Sequence, residues 1–591
     1  MVAHGSNARR RAEPAIADLG LIPGDRTAAM VGPDGRIVWW CHPRIDSPSI
    51  FGALLDGNAG AWELDVEGAT GIRQEYLDGT LLVRTTWLDH EAAVLLQVTD
   101  WHVEGTSVLA REVQARDRCN VTVRVAGRLD YARRTPAPIL GDRRAVIAED
   151  LVLAWDGPVV VTLDGPDVVL TGDLEAGHHV TCWLGGRTEV AQIGQQPPDP
   201  QRNRQAWATW TDRLSSVGTL TSDARHAAQV LRSLVHVPTG AVVAAVTTSL
   251  PERLGGVRNW DYRYCWLRDA AWILEALVAM GSHDEAVAYL RWFTELIQSD
   301  GTELAPLYRV DGSRDMTEQL LGHLHGYSGS RPVRVGNSAV HQSQLDVYAM
   351  AIDLQWQLAS SGGQSDVLPW WIVMGLVKQV LDRWREPDSG LWEIRAKPRR
   401  HTFSAFQCWL AVDRASKLGN LRDEAVPASW AIGAAEILSA IMTEGIDPAS
   451  GSLVQAFGES DVDAALLLAP LKGLVAPDSP TASATIERVR DELDVGGGLL
   501  HRYRSADGLP GREGAFLLCS FWLAELLARR GAVQEAEAIV DAILAHRGPL
   551  RLLAEELDPA TGMQLGNTPQ GFSHLGLIRA AVAIHEASQA T

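Results

Sequence analysis

Residues 259–271 read NWDYRYCWLRDAA and set the organisation of the chain. They place four aromatic rings, two arginines and two aspartates directly before an apolar helical segment, Trp272–Met280. Aromatic faces suit the C–H face of a polyhydroxylated ring, and charged side chains bind its hydroxyl groups. The alternative is structural: an Arg–Asp pair caps a helix while the rings lie in the core, as aromatic residues usually do.

Length and composition limit the classes of protein that remain. The 591 residues exceed one ordinary domain, so we expect two. A hydrophobic fraction of 46% and a charged fraction of 21% are typical of a soluble globular protein. The net charge of -20 argues against nucleic acid or an anionic membrane as a partner and favours neutral ligands. The 21 tryptophans give a mild indication of sugar binding.

The six cysteines are scattered and form neither a C-x-x-C pair nor a zinc-binding spacing. Neither a metal centre nor a disulfide framework is predicted. The first fourteen residues contain a basic run, Arg9–Arg11, but no apolar segment follows it. We therefore expect no signal peptide and no membrane span, and the cytoplasm is the expected location. An oligomer is possible but nothing in the sequence supports one.

Residues 22–193 have the pattern of an antiparallel β domain. Short runs of alternating apolar residues recur between Gly, Asp-Gly and Pro turn signals. The runs cover residues 36–40, 61–66, 81–87, 92–98, 121–125, 145–148, 159–163 and 180–184. They predict an N-terminal β-sandwich over residues 1–204. The polar loop at residues 43–49 is interpreted as an ordinary turn that could also reach a neighbouring site.

The pattern changes after a Pro-rich segment at residues 195–200, which begins a linker. We predict a helical linker over residues 205–222, with its helix near 205–215. Beyond it, apolar periodicity predicts twelve helices. They are expected at residues 224–236, 268–281, 283–299, 341–360, 366–385, 403–418, 426–444, 461–470, 481–493, 514–530, 533–547 and 572–588. This order predicts an (α/α)6 barrel over residues 223–591.

Three long polar loops, at residues 301–337, 388–401 and 551–571, are expected to form a pocket at one end of this barrel. Two of them carry candidate catalytic carboxyls, since a glycosidic bond requires an acid and a base. Glu393 follows Trp392, and an apolar neighbour would keep it protonated. Glu555 is the better candidate base, with Glu556 and Asp558 nearby. Alternatively, both are ordinary surface or capping carboxylates, because sequence spacing does not show that they meet.

Residues 259–270 resemble the glucoamylase/trehalase-type inverting glycoside hydrolases, family 15, and the likeness extends over nearly the whole chain. The N-terminal segments are similar to the actinobacterial trehalase-like branch. The other matching segments are residues 16–22, 34–35, 46–48, 331–337, 384–387, 514–522 and 566–570.

The resemblance implies a role for each matching position. It implies that Glu393 is the general acid, that Glu555 is the general base and that Tyr262 helps to hold the attacking water. Further substrate-binding residues are expected at Trp266, Arg268, Asp269, Arg331, Arg334, Trp392 and Arg502. The implied reaction is a single displacement with the two carboxyls about 6.5–9.5 Å apart, and it needs no metal or organic cofactor.

Three positions depart from the pattern of the trehalase-like branch. Arg309 stands where glycine is expected, Ala405 where lysine is expected, and Arg512 where a small or acidic residue is expected. None of them removes a catalytic group. Because all three could lie on the pocket rim, they leave the preferred leaving group open.

Three functional hypotheses follow. The leading one is an exo-acting, inverting hydrolase that releases β-glucose from trehalose or short α-gluco-oligosaccharides. The second is a glucosyl-transferring relative in a biosynthetic pathway, which would bind the same sugar but restrict water. The third is a sugar-binding protein without catalysis, which the retention of both Glu393 and Glu555 disfavours.

Overall fold

A computed structural model of the protein describes residues 13–194 and 196–590. Two eight-stranded antiparallel sheets form the N-terminal part and helices form the rest. The strands of these sheets are β1 (Gly20–Pro23), β2 (Ala28–Val31), β3 (Ile37–Cys41), β4 (Ser49–Phe51), β5 (Ala61–Val66), β6 (Gly71–Tyr76), β7 (Val83–Leu88), β8 (Val94–His102), β9 (Leu109–Ala115), β10 (Cys119–Ala126), β11 (Ile139–Gly141), β12 (Arg144–Ala148), β13 (Leu151–Asp156), β14 (Val160–Asp164), β15 (Asp167–Leu174) and β16 (His179–Gly186).

The first sheet runs in the order β1-β2-β3-β5-β10-β15-β14, with β4 paired to β3. The second runs in the order β11-β12-β13-β16-β9-β8-β7-β6. Alternation along each strand turns one face inward; in β10, Val121, Val123 and Val125 are buried and pack with the second sheet. The eight predicted strands are all present. Edge strand β6 escaped prediction because its GIRQEY sequence is largely exposed and lacks apolar alternation.

The helices are α1 (Leu129–Ala132), α2 (Arg187–Ile193), α3 (Pro200–Thr211), α4 (Thr221–Ser233), α5 (Leu267–Ala279), α6 (Asp284–Asp300), α7 (Val347–Ser360), α8 (Trp370–Arg383), α9 (Thr402–Leu421), α10 (Ala428–Glu444), α11 (Leu468–Leu471), α12 (Pro480–Leu493), α13 (Leu517–Arg529), α14 (Val533–Leu544) and α15 (Gly571–Ala590). Short 3-10 helices cover Ile16–Asp18, Gly218–Leu220, Tyr327–Gly329, Ser338–His341 and Ala464–Leu467. Two-residue strands are β17 (Cys265–Trp266), β18 (Leu307–Tyr308), β19 (Gln319–Leu320), β20 (Arg334–Val335), β21 (Ala515–Phe516), β22 (Glu556–Leu557) and β23 (Gln564–Leu565).

The helices from α4 onward form two concentric rings. The inner ring is α5, α7, α9, the segment of residues 464–471, α13 and α15, and it closes where α15 packs against both α13 and α5. The outer helices α4, α6, α8, α10, α12 and α14 alternate with them along the chain. This is the predicted (α/α)6 arrangement. The inner helices α5 and α13 are buried on nearly all sides, as expected of helices enclosed by a second ring.

Several helices differ from their predicted bounds. Helix α7 starts at Val347 rather than at 341, and α8 starts at Trp370 rather than at 366. Two further differences have local reasons. The linker helix α3 starts at Pro200 rather than near residue 205, because Asp199 accepts a hydrogen bond from the Gln201 N–H and proline suits the first helical position. The helix predicted at residues 461–470 is shorter. Asp463 caps its start at Ala465 N, and Gly473, with φ of 88°, follows its end.

The β domain braces the 259–271 segment through Arg263, which is fully buried. Arg263 donates to Asp261 at 2.6 Å, to the Ser47 carbonyl at 2.8 Å and to the Tyr131 hydroxyl at 2.9 Å. Ser47 belongs to the polar loop that the sequence left open as a turn or a site loop. This loop therefore contacts the base of the key segment rather than a pocket.

Two sequence predictions concern residues outside the described part of the chain: the basic run Arg9–Arg11, and the first residue of the linker, Gln195. In residues 13–194 and 196–590, no helix combines the length and the apolar character needed to cross a membrane.

Candidate active site

A cavity lies where the inner helices begin, and its roughly 800 Å³ of empty space includes its opening to solvent. Strand β17 pairs with β18, and α5 starts immediately after it, so Arg268 and Asp269 occupy the first helical turn. All of its lining residues come from position 244 onward, so the β domain supports the barrel without lining this cavity. Eight of the ten predicted site residues line it: Tyr262, Trp266, Arg268, Asp269, Trp392, Glu393, Arg502 and Glu555.

Glu393 lies in the loop between α8 and α9, with a φ of 57° that non-glycine residues seldom adopt. Its Oε1 atom accepts hydrogen bonds from Trp266 Nε1 at 2.6 Å and from Gln344 Nε2 at 3.3 Å. A guanidinium nitrogen of Arg268 is 3.8 Å from the same oxygen. The carboxyl is thus held by one of its two oxygens.

Glu555 lies immediately before β22, which pairs with β21 and β23 in a small sheet. Its Oε1 atom accepts a hydrogen bond from the Tyr262 hydroxyl at 2.8 Å. Burial raises the pKa of Glu555 to about 7, although Arg502 and the Tyr262 hydrogen bond oppose the shift. A carboxylate with this pKa is a stronger base than an exposed one.

Gly566 lies against this carboxylate. Its φ is 79°, and a Cβ atom added there would lie 2.6 Å from Glu555 Oε2. Only glycine fits this position without displacing the Glu555 side chain. The glycine in the predicted Gly566–Gln570 segment therefore has a steric role at the site.

Arg268 and Asp269 form the floor of the cavity beside Glu393. Arg268 donates to Gln344 at 3.0 Å and lies 3.2 Å from Asp269 and 3.4 Å from Asp346. Burial raises the pKa of Asp269 to about 7, while Arg268 opposes the shift. Side chains of this kind, buried and charged, are suited to hold the hydroxyl groups of a sugar.

Trp392 does not contact Glu393 through its N–H group. Its indole donates to Asp463 at 2.9 Å, and its ring packs 5.4 Å from Phe516 and 6.2 Å from Trp522. The N–H donor to Glu393 is Trp266 instead. Trp392 thus belongs to an aromatic wall of the cavity.

Arg502 lies on the Glu555 side of the cavity within a group of carboxyls. It is 2.6 Å from Glu513 and 3.5 Å from Glu252. Oxygens of Glu252, Glu513 and Glu556 lie within 4.8 Å of one another, close enough to share one cation. Arg502 supplies positive charge to this group from within the chain.

Two predicted residues lie outside the cavity lining. Arg331 is exposed and donates to the His325 carbonyl at 3.2 Å. Arg334 packs against the Trp260 ring at 4.5 Å and lies 3.2 Å from Glu318. Trp260 itself lines the cavity, so Arg334 supports the site from behind this ring, and its charge also acts on the lining residue Glu252.

The three departures from the family pattern also lie outside the lining. Arg309 is 3.1 Å from Asp46 and so ties the barrel to the β domain. Ala405 is buried in α9, and Arg512 is exposed on the loop before β21.

Several lining residues were missed by sequence reasoning. Most of them are distant in sequence and carry no shared spacing, although Trp260 lies within the key segment and Arg258 directly precedes it. The missed lining residues with polar or aromatic side chains include Glu252, Arg258, Trp260, Asn337, Gln342, Tyr503 and Asp507.

The sequence profile described as "Glycosyl hydrolases family 15" matches residues 225–537 and 532–582, and the profile "Trehalase-like, N-terminal" matches residues 8–161. A trehalase from Mycolicibacterium smegmatis is 34% identical over 98% of this chain and 92% of its own length. A trehalase from Mycobacterium tuberculosis is 34% identical over 100% of this chain and 92% of its own length.

Among solved structures, a bacterial glucoamylase complexed with acarbose superposes with a TM-score of 0.71 at 13% identity. The match covers 99% of this chain and 96% of the glucoamylase. This confirms the predicted fold class, a β-sandwich followed by an (α/α)6 barrel.

Together with the two carboxyls in one cavity, these matches define the protein as a glycoside hydrolase. The chain belongs to glycosyl hydrolases family 15. The resemblance found in the sequence is therefore confirmed.

Proposed function

We propose that the protein hydrolyses trehalose by a single displacement that inverts the attacked anomeric carbon. The observation that carries the proposal is that Glu393 and Glu555, which are far apart in sequence, line the same cavity. The proposed substrate follows the trehalases that match the chain over nearly its full length.

Glu393 is assigned the role of general acid. Its Oε1 atom accepts hydrogen bonds from the N–H groups of Trp266 and Gln344. The catalytic proton is therefore assigned to the other carboxyl oxygen, Oε2. That oxygen donates the proton to the bridging oxygen as the bond to the leaving sugar breaks.

Glu555 is assigned the role of general base. The Tyr262 hydroxyl holds one of its oxygens, and the other is free to take a proton from the attacking water. Its pKa of about 7 makes this transfer more favourable than an exposed glutamate would. Activity is then expected to require the ionised form of Glu555.

The first glucose unit is assigned to the floor formed by Arg268 and Asp269 and to the aromatic walls. Aromatic rings pack together behind the lining residue Phe572: Trp272 lies 5.6 Å from Phe572 and 5.9 Å from Trp522. A cavity blocked on this side would admit only a terminal glucose, which is consistent with exo-action.

A panel of disaccharides tests the proposal. Trehalose, maltose, isomaltose, kojibiose and nigerose are compared by initial rates of glucose release, and we expect trehalose to have the highest kcat/KM. A higher value for another disaccharide would reassign the substrate. Transfer products formed with an added sugar acceptor, in place of free glucose, would favour the glucosyl-transferring alternative.

A further inference from the structure

Glu252 lies in the segment that precedes residues 259–271 and lines the same cavity as the two proposed catalytic carboxyls. It is 1% exposed. Its backbone N–H donates to the Arg258 carbonyl at 3.1 Å, which fixes the turn that carries it. A carboxyl group is thus buried at the cavity wall in a defined position.

The carboxyls around Glu252 outnumber the cations among the described residues. The carboxyl groups of this cluster are Glu252, Asp507, Glu513, Glu555 and Glu556, and its guanidinium groups are Arg258 and Arg502. Arg334 also acts on Glu252, but it is paired with Glu318 outside the cluster. If all five carboxyls were ionised, several negative charges would be buried without compensation. Because burying an unpaired charge is very unfavourable, some of these groups must keep their protons.

The carboxyls of the cluster differ in their contacts with the two guanidinium groups. Asp507 takes two bonds from Arg258, at 2.6 and 3.1 Å. Glu513 takes two from Arg502, at 2.8 and 2.6 Å, and another from Arg258. Both acids are thus paired with guanidinium groups, which compensate their negative charge.

Glu252 and Glu556 lack such pairing. Glu252 is 3.5 Å from Arg502, at the limit of a hydrogen bond. Glu556 accepts from the Gly514 N–H at 2.8 Å through one oxygen, while its other oxygen has no hydrogen-bond partner within the described residues. The protons of the cluster therefore belong on these two acids.

We propose that Glu252 is a protonated carboxylic acid that donates a hydrogen bond to a sugar oxygen in the cavity. Glu556 does not line the cavity, so of the two protonated acids only Glu252 can reach a ligand. This role rests on the proposed assignment of the cavity to glucose. Glu252 then binds the substrate as a neutral hydrogen-bond donor. The neighbouring base, Glu555, acts in its ionised form.

The proposal has a defined pH dependence. Burial raises the pKa of Glu252 well above its usual value, and Glu513 and Glu555 add to the shift against Arg502. Donation is available below the pKa of Glu252 in the folded protein and is lost as the pH rises through it. The titratable and charged groups that face Glu252 are Arg258, Tyr262, Arg334, Arg502, Glu513, Glu555 and Glu556. Tyr503 and Asp507 lie behind them, beside Arg502 and Arg258.

The test is calorimetric binding of glucose to the full-length protein between pH 5 and 9, with circular dichroism to confirm folding of each variant. In the unmodified protein, we expect affinity to fall by about tenfold or more towards alkaline pH, the equivalent of one lost hydrogen bond. In Glu252→Gln the amide still donates but does not titrate, so the alkaline loss should become clearly smaller; the remainder belongs to Asp269 and Glu555, each with a pKa raised to about 7.

Two further variants make the outcome specific. Glu252→Leu removes the donor and should bind glucose about tenfold more weakly at every pH. The matched control Glu556→Gln changes a neighbouring buried carboxyl outside the cavity and should keep the alkaline loss.

An unchanged alkaline loss in Glu252→Gln would overturn the proposal. So would equally weak binding by Glu252→Gln and Glu252→Leu at low pH, which would show an ionised acceptor. Because binding needs no turnover, a protein that shows the predicted pH dependence but does not hydrolyse trehalose would refute the proposed function alone.

Discussion

The barrel contains two buried clusters of charge that differ in balance. One surrounds Glu555 at the cavity, and the other lies roughly two helical turns farther along the same inner helices. In the deep cluster, Lys472 lies 2.5 Å from Glu275 and 2.7 Å from Asp353, which is also 3.0 Å from Arg414. The other members of the deep cluster are Glu525, Arg529 and Arg579.

The two clusters respond to burial in opposite ways. In the deep cluster, Lys472 and Arg414 lower the pKa of Asp353 despite its burial. Arg579 and Arg529 similarly lower that of Glu525. Glu275, which shares Lys472 with Asp353, is the exception, because burial raises its pKa. At the cavity, burial raises the pKa of both Glu252 and Glu555.

This difference separates a structural role from a chemical one. The deep cluster takes one or more charged groups from each inner element, α5, α7, α9, the 464–471 segment with its following Lys472, α13 and α15, and joins them in pairs. The cavity cluster leaves carboxyls with too few cations, which keeps them basic or protonated. The paired charges of the deep cluster hold the inner helices together. The carboxyls of the cavity cluster, which have too few cations to neutralise them, take part in the reaction.

The largest expected effect is on activity at the cavity. Glu393→Gln and Glu555→Gln should each lower kcat on trehalose by about 10²–10⁴-fold, because each removes one proton transfer. Steady-state kinetics measure the loss, and unchanged circular dichroism shows that the fold is intact. Rates close to those of the unmodified protein in either variant would refute the role assigned to that residue.

The next effect is on stability, at the deep cluster. Lys472→Met leaves Glu275 and Asp353 without their shared cation, so we expect a loss of about 3–5 kcal/mol in the free energy of unfolding. Denaturant unfolding measures it. The matched control Lys378→Met breaks an exposed pair with Asp382 and should cost no more than about 0.5 kcal/mol. Equal losses in both variants would mean that the deep cluster carries no special share of stability.

A third prediction compares how the stability contributed by each cluster depends on pH. The folded-state pKa of Glu555 is raised, so its contribution to stability is present below about 4.5 and is lost as the pH rises through about 7. When the pH is raised from 4 to 8, the free energy of unfolding of Glu555→Gln should therefore increase by on the order of 2 kcal/mol relative to that of the unmodified protein.

The matched variant for this comparison is Asp353→Asn. The pKa of Asp353 is lowered, so its contribution is present above the unfolded value and is lost in acid. Asp353→Asn should be least stable, relative to the unmodified protein, at neutral pH. Thermal unfolding at several pH values measures both variants, and shifts of the same sign would abolish the distinction between the clusters.

The smallest expected effect concerns the position of the base. Gly566→Ala places a methyl group against Glu555 Oε2, and we expect kcat to fall by about 10-fold to 100-fold, since small displacements of a catalytic group are costly. The matched variant Gly562→Ala tests a nearby glycine that also has a positive φ but contacts His546 instead. It should lower stability with little effect on kcat, and similar kcat losses in both would point to backbone strain.

Much of this fold could be predicted because its local patterns agree with its global arrangement. The alternation of apolar and polar residues predicted strands such as β10, and the helical periodicity of apolar residues predicted the barrel helices. The short segment at residues 464–471 was predicted to start three residues too early, at 461, because the Asp463 cap rather than periodicity determines its start.

Site residues could be predicted from the sequence only where they belong to a motif that matches a known family. Residues 259–271 and the two catalytic carboxyl candidates matched a family pattern, and the structure brings them to one cavity. Glu252 and Glu513 meet although they are far apart in sequence, and no spacing indicates such a contact. Arg331 and Arg334 show the converse, because the folding of the 301–337 loop turns both away from the lining.

The measurement that tests the account most directly is the anomeric form of glucose in the first moments of trehalose hydrolysis, followed by proton NMR. Inversion at the attacked carbon yields one β-glucose, while the leaving sugar keeps its configuration and yields one α-glucose. We therefore predict equal initial amounts of the two anomers. Release of α-glucose alone would show retention and would contradict a single displacement by water between Glu393 and Glu555.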